Sequence, residues 1–144
     1  MAPIMACSST ASSSRAAGPG AALPGCDAGD TPSGETIQAE LAATAAERAR
    51  GLMFRPVLDA AKGMLFLFDT SNIYLFWMLN TLVPLDILWM NEDREVQFIS
   101  ADTPPCQTQV CPTYGPNIAS RYVLELAAGE AQRRGLAEGD VLQW

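Results

Sequence analysis

From Glu35 to its end, the chain is divided into short apolar runs separated by polar or proline-bearing turns, and the longest run, Ile73 to Leu79, has seven residues. A membrane-spanning helix needs about 18 apolar residues in succession. A long amphipathic helix needs an i, i+3, i+4 repeat that these runs do not sustain. Short runs at close spacing point to strands. Thr36 to Ala42 alternates Ile37, Ala39 and Leu41 with polar partners, as a half-buried strand does. Thr44 with Glu47 three residues on has capping-box spacing and predicts a short helix through Arg50, closed by Gly51. Gly63 to Phe68 reads as a strand, Asp69 to Asn72 as a polar turn and Ile73 to Met78 as the returning strand, so residues 63–78 are expected to form a hairpin. Leu85 to Met90 and Glu95 to Ala101 flank the turn Asn91 to Arg94 and predict a second hairpin. Residues 102–120 hold four of the ten prolines and read as an irregular loop. A strand over Tyr122 to Leu126, a helix over Ala127 to Arg134 and a last strand over Val141 to Trp144 complete the chain. The expected fold is mainly β: a compact antiparallel sandwich or barrel of six to seven short strands with two short helices, α+β by strict count. The alternation of a doubly wound β-α-β sheet is absent.

Residues 1–34 differ from this. They are almost entirely Ala, Ser, Gly, Pro and Thr, whose small side chains bury too little area to offset chain entropy. They are expected to form a disordered tail or tether, with a single domain over 35–144. Ile4-Met5-Ala6-Cys7 is similar to the lipobox of bacterial lipoproteins, which makes Cys7 a lipidation candidate; Leu23-Pro24-Gly25-Cys26 is a weaker match. Only six residues precede Cys7, fewer than a charged and apolar leader requires. Either the leader begins upstream, with an extracytoplasmic or membrane-anchored product, or the match is fortuitous and the chain is cytoplasmic.

The chain contains no histidine. That removes the commonest general base and metal ligand and excludes a Ser-His-Asp triad, a Cys-His dyad or a histidine-ligated zinc within one chain. Net charge is −7, and the domain alone carries 14 acids against 8 bases, so the acidity belongs to the folded part. Such a balance disfavours a nucleic-acid partner. Neither GxxxxGK[ST] nor GxGxxG occurs.

Several ordered motifs carry a resemblance. Glu47 to Arg55 (ERARGLMFR), Gly63-Met64-Leu65-Phe66, Phe76-Trp77-Met78, Asn80-Thr81, Pro84 to Ile87, Tyr122 to Glu125 with Ala128-Gly129, and Gly139-Asp140 follow in that order. The chain over about residues 36–143 resembles the family called domain of unknown function 192. The resemblance implies a compact β-rich domain, often behind an export or lipoprotein signal, and implies no activity. One departure is Leu79, which stands where the family usually has a basic residue.

The candidate sites each have a plain structural counterpart. Cys106 and Cys111 have C-x4-C spacing, unlike a redox-active C-x-x-C, and a zinc site would need two more ligands. They form a structural disulfide if the protein is exported, or two free thiols in a reducing cytosol. Trp77, Asn80, Thr81 and Asp86, with Arg50 and Arg55 as partners for Asp86, outline a ligand pocket. The same residues could instead be a core Trp, a capped turn and a fold-holding network. Arg48, Arg50 and Arg55 suit a carboxylate or phosphate, or pairing with Glu47 and Asp86. Met53, Met64, Met78 and Met90 could offer thioethers to Cu(I), but read better as core filler; no cofactor or metal is expected.

These features favour a monomeric, non-catalytic binding or accessory domain of the cell envelope, taking a small ligand or an envelope protein. The alternatives are a histidine-free, hydrolase-like enzyme using carboxylates such as Asp86, Glu47 or Glu125, and a structural interaction module. A carboxyl with a raised pKa inside the pocket would favour the enzyme.

Overall fold

The computed structural model describes residues 2–3, 5–6 and 35–144. Within 35–144 the elements are β1 (Gln38–Ala42), α1 (Ala45–Arg50), β2 (Lys62–Asn72), β3 (Phe76–Trp77), β4 (Leu85–Met90), β5 (Val96–Thr103), β6 (Thr113–Tyr114), β7 (Ser120–Ala127), α2 (Glu130–Arg133) and β8 (Leu142–Gln143). Five strands form one mixed, open sheet in the order β1-β2-β7-β4-β5, and β3 pairs with β6 in a small second sheet. The backbone of Met5–Ala6 pairs in parallel with Gln38–Ala39 at the β1 edge, and that of Ala2–Pro3 with β8. Cys7, Cys26 and, apart from residues 2–3 and 5–6, the rest of the expected tail lie outside the described residues.

The sheet is covered on both faces. One apolar layer contains Ile37, Leu65, Leu88, Leu124, Leu126, Ala131 and Leu142, and so lies under α2 and β8. The other contains Leu52, Phe66, Leu85, Ile87, Trp89 and Val123, with Phe76 of β3 and Tyr114 of β6 packed against it. This two-layered, mainly β arrangement agrees with the expected class, without barrel closure. Burial on both faces explains why β4 reads as an almost unbroken apolar run: all six of its residues are buried.

Three local expectations are corrected. Residues 63–78 do not form a hairpin. Lys62 to Asn72 is one strand that runs past its own polar residues, and β2 pairs with β1 in parallel and with β7 antiparallel. Asp69 and Thr70 lie in the extended, exposed part beside a register break, so their polarity marks emergence from the core and not a reversal. The sheet is not wholly antiparallel, because β1, α1 and β2 make one parallel crossover. The second helix is shorter than expected, with only Glu130 to Arg133 helical.

The first helix forms as its sequence dictates. Thr44 Oγ1 accepts from Glu47 N while Glu47 Oε2 accepts from Thr44 N, satisfying donors the first turn leaves free. Gly51 ends it at φ 49°. Gly63 is required for another reason: a Cβ there would lie 2.5 Å from the carbonyl oxygen of Glu125 on β7. This close approach of β2 to β7 sets the position of Glu125.

Candidate functional site

A cavity of about 310 Å³ opens between α1 and the turn after it, the β3 segment and the sheet face carrying Phe66. Its apolar walls include Leu52, Phe66, Phe68, Phe76 and Trp77. The rings support one another: Phe66 and Phe68 pack edge-on to Phe76, Phe76 packs edge-on to Trp89, and Phe68 stacks on Tyr74 at 3.6 Å. Trp77 is half exposed and stands at the rim. Arg48 and Arg50 reach the cavity from the last turn of α1. Thr81 and Glu125 supply polar groups from buried positions.

Two backbone clamps hold the walls. Phe54 N donates to Asn80 O at 2.9 Å, joining the turn after α1 to the Met78–Thr81 turn. Asn80 N donates to Cys106 O and Cys106 N to Met78 O, so the second turn hangs on the Cys106 backbone. Cys106 is itself bonded to Cys111 in a disulfide. Asn80 has φ 54°, the left-handed conformation that Asn tolerates better than most residues.

Glu125 is the distinctive group. It is 5% exposed, faces the layer that contains Val123 and pairs in register with Met64 and Ile87. Among the described residues no group hydrogen-bonds to its carboxyl. Burial pushes its pKa up to about 8, so near neutral pH the carboxyl is uncharged and carries a proton to donate. Its sequence signal was a lone acid within the apolar run Val123-Leu124-Glu125-Leu126, and strand parity places it with Val123.

The structure brings Arg50, Trp77 and Thr81 to this cavity, with Arg48 and Glu125, and places Arg55, Asn80 and Asp86 elsewhere. Asp86 is a correction. It alternates with Leu85 and Ile87, which face the cavity layer, so its side chain points to the opposite face. There it accepts from Asp102 N at 2.8 Å and Ala131 N at 2.9 Å. It ties the end of β5 and the start of α2 to β4, in place of the expected pairing with Arg50 or Arg55. Arg55 donates both terminal nitrogens to Glu40 at 2.7 and 2.8 Å, the bidentate geometry of a guanidinium–carboxylate pair. Asn80 serves the turn through its backbone. Arg48 donates to the carbonyls of Ala43 and Leu67 and sits over the Phe68 ring. Met64 and Met78 are buried in one apolar layer and Met90 in the other, so they do not converge. Among the described residues, no three Cys, Asp or Glu side chains gather as a metal ion would require.

Over residues 28–144 the chain matches the family model DUF192, described as Uncharacterized ACR. A protein of unknown function from Novosphingobium aromaticivorans is similar in structure, with 38% identity, a TM-score of 0.71 and 76% of each chain covered. A Sinorhizobium meliloti protein described as a candidate transcription regulator is 34% identical, with a TM-score of 0.68, covering 77% of this chain and 85% of its own. No curated protein matches the chain.

Proposed function

This chain belongs to the DUF192 family of uncharacterised proteins, and from that premise we propose that it is a non-catalytic binding or accessory domain of the bacterial cell envelope, with the cavity over Glu125 as its ligand site. The observation that carries the reading is a ready-made cavity whose floor holds a buried carboxyl with no partner among the described residues. The Glu125 carboxyl oxygens keep access to the cavity, where a ligand oxygen would accept the proton. Aromatic walls with a few polar groups are the ordinary make-up of a small-molecule site.

The envelope assignment is supported by the Cys106–Cys111 disulfide, a bond that persists in oxidising compartments, and by the lipobox-like Ile4 to Cys7. The regulator description of the Sinorhizobium protein is not carried over to this chain. A domain with six more acids than bases repels a phosphate backbone.

Glu125 also favours a second reading, a histidine-free enzyme with this carboxyl as proton donor, because a raised pKa in a cleft is a mark of acid–base sites. It ranks below binding because the cavity lining holds no second carboxyl and no Ser or Cys nucleophile.

Ligand-observed NMR with the full chain, screening small organic acids, sugars and short peptides, tests the proposal. At least one compound is expected to bind, with Trp77→Ala weakening it about tenfold through loss of the aromatic wall. Binding indifferent to Trp77→Ala, or no binding at all, would overturn it.

A further inference from the structure

We infer that the cavity takes a small carboxylate with a flat apolar body, its charged group at Arg50 and a second, hydrogen-bond-accepting group at Glu125. The inference rests on the reading of this cavity as a ligand site. Its first support is the distribution of charge. Of the eight bases in the domain four have an acid partner; Arg48 and Arg94 donate to carbonyl oxygens instead, and Arg121 and the exposed Arg50 have no ion pair among the described residues. Arg55 pairs with Glu40, Lys62 with Asp59, and Arg133 and Arg134 with Glu35 and Glu130. The Arg50 side chain makes no ion pair or hydrogen bond among the described residues, although it lies three residues after Glu47. The capping box explains this, because the Glu47 carboxylate is turned back to Ala43 N and Thr44 N. The helix cap thus occupies the acid one turn before Arg50 and leaves a guanidinium at the cavity.

The second support is the floor. Glu125 is more than nine-tenths buried, lines the cavity and lacks an internal acceptor for its proton. A protonated carboxyl there donates to a ligand oxygen and does not repel an anion, as an ionised one would. Burial alone holds it in that state at neutral pH. The titratable groups lining the cavity are Arg48 and Arg50 from α1, Tyr74 from the segment after β2 and Glu125 from β7. Tyr74 is already committed, its hydroxyl donating to Thr70 O. The third support is size and shape. About 310 Å³ is at the small end of ligand sites and admits one ring with a short chain against Phe66, Phe76 and Trp77. One unpaired guanidinium suits a carboxylate, which it can hold bidentately, better than a phosphate dianion, which needs more donors.

The test is calorimetric titration of the full chain with 4-acetylbenzoate, whose ketone oxygen is the second acceptor, its neutral amide and 4-acetylphenyl phosphate, on the wild type, Arg50→Met and Glu125→Gln, with thermal midpoints confirming that each variant folds. At pH 6.5 the wild type is expected to prefer the carboxylate to the amide by about tenfold, the worth of one charge-assisted hydrogen-bonded contact. Arg50→Met should erase that preference. Raising the pH to 9 should weaken binding of the carboxylate to the wild type, and Glu125→Gln should bind it with little change over the same range. Amide or aryl phosphate binding as tightly as the carboxylate, or a preference untouched by Arg50→Met, would overturn the ligand class. So would failure of all three probes. A chain that nevertheless purifies with a neutral small molecule bound would then keep the site while losing the class; a bare chain would lose both.

Discussion

Two lone acids in apolar strands have opposite roles, set by which way each side chain points. Asp86 receives two backbone N–H groups, so both its oxygens have partners where it is buried. Glu125 receives none and is left with the cost of desolvation, which raises its pKa to about 8. The unfolded chain has an ordinary glutamate, with a pKa of about 4.3. Between these values the folded state holds a proton that the unfolded state has released, so this group's contribution makes stability fall as pH rises. The fall from pH 5 to pH 8 is on the order of 4 kcal/mol. Glu125→Gln, an isostere of the neutral acid, is predicted to flatten this slope and to be more stable than the wild type at pH 9. Urea midpoints at pH 5, 7 and 9 check it; parallel pH profiles for the two chains would contradict it. Both acids were visible in the sequence, but the face each occupies was not. β4 is apolar on both sides, so its run gives no alternation from which to read direction. Only the pairing of β4 with β7 shows that Ile87 and Glu125 share a face.

At the scale of elements, close approach and capping decide the geometry. Gly63→Ala would bring a Cβ to 2.5 Å from the Glu125 carbonyl oxygen and 2.8 Å from Leu126 Cδ2. Backbone cannot yield as a side chain does, so the predicted loss is about 3 kcal/mol or more, at the upper end of overpacking costs, read from denaturant midpoints. Asp86→Asn should lose about 2–3 kcal/mol, because an amide presents an N–H to one of the two donors that the carboxylate accepts. It should leave binding in the cavity unchanged, since it lies across the sheet; impaired binding by a folded Asp86→Asn chain would contradict that placement. The capping box of α1 was legible from Thr44 and Glu47 because its signal is local. The β2 strand was not, because Asp69 to Asn72 have turn-like composition and only pairing with β1 and β7 holds that stretch extended.

For the whole molecule, the site depends on segments distant in sequence. α1 and its following turn, the Trp77 segment and β7 meet at one cavity, and the disulfide loop holds the Met78–Thr81 turn beside it. The C-x4-C spacing allowed the disulfide to be anticipated, but not the part its backbone plays in holding Met78–Thr81. Cys106→Ser with Cys111→Ser is predicted to cost about 2 kcal/mol from loop-closure entropy. It should also speed amide exchange at Asn80 and Thr81 more than in the outer strands, as hydrogen exchange by mass spectrometry would show. The central claim, that this cavity is a ligand site, is tested most directly by native mass spectrometry of the full chain, purified gently from a bacterial periplasm. The account predicts a population heavier than the bare chain by one small molecule, and its loss in Trp77→Ala. A bare mass for both chains would contradict it.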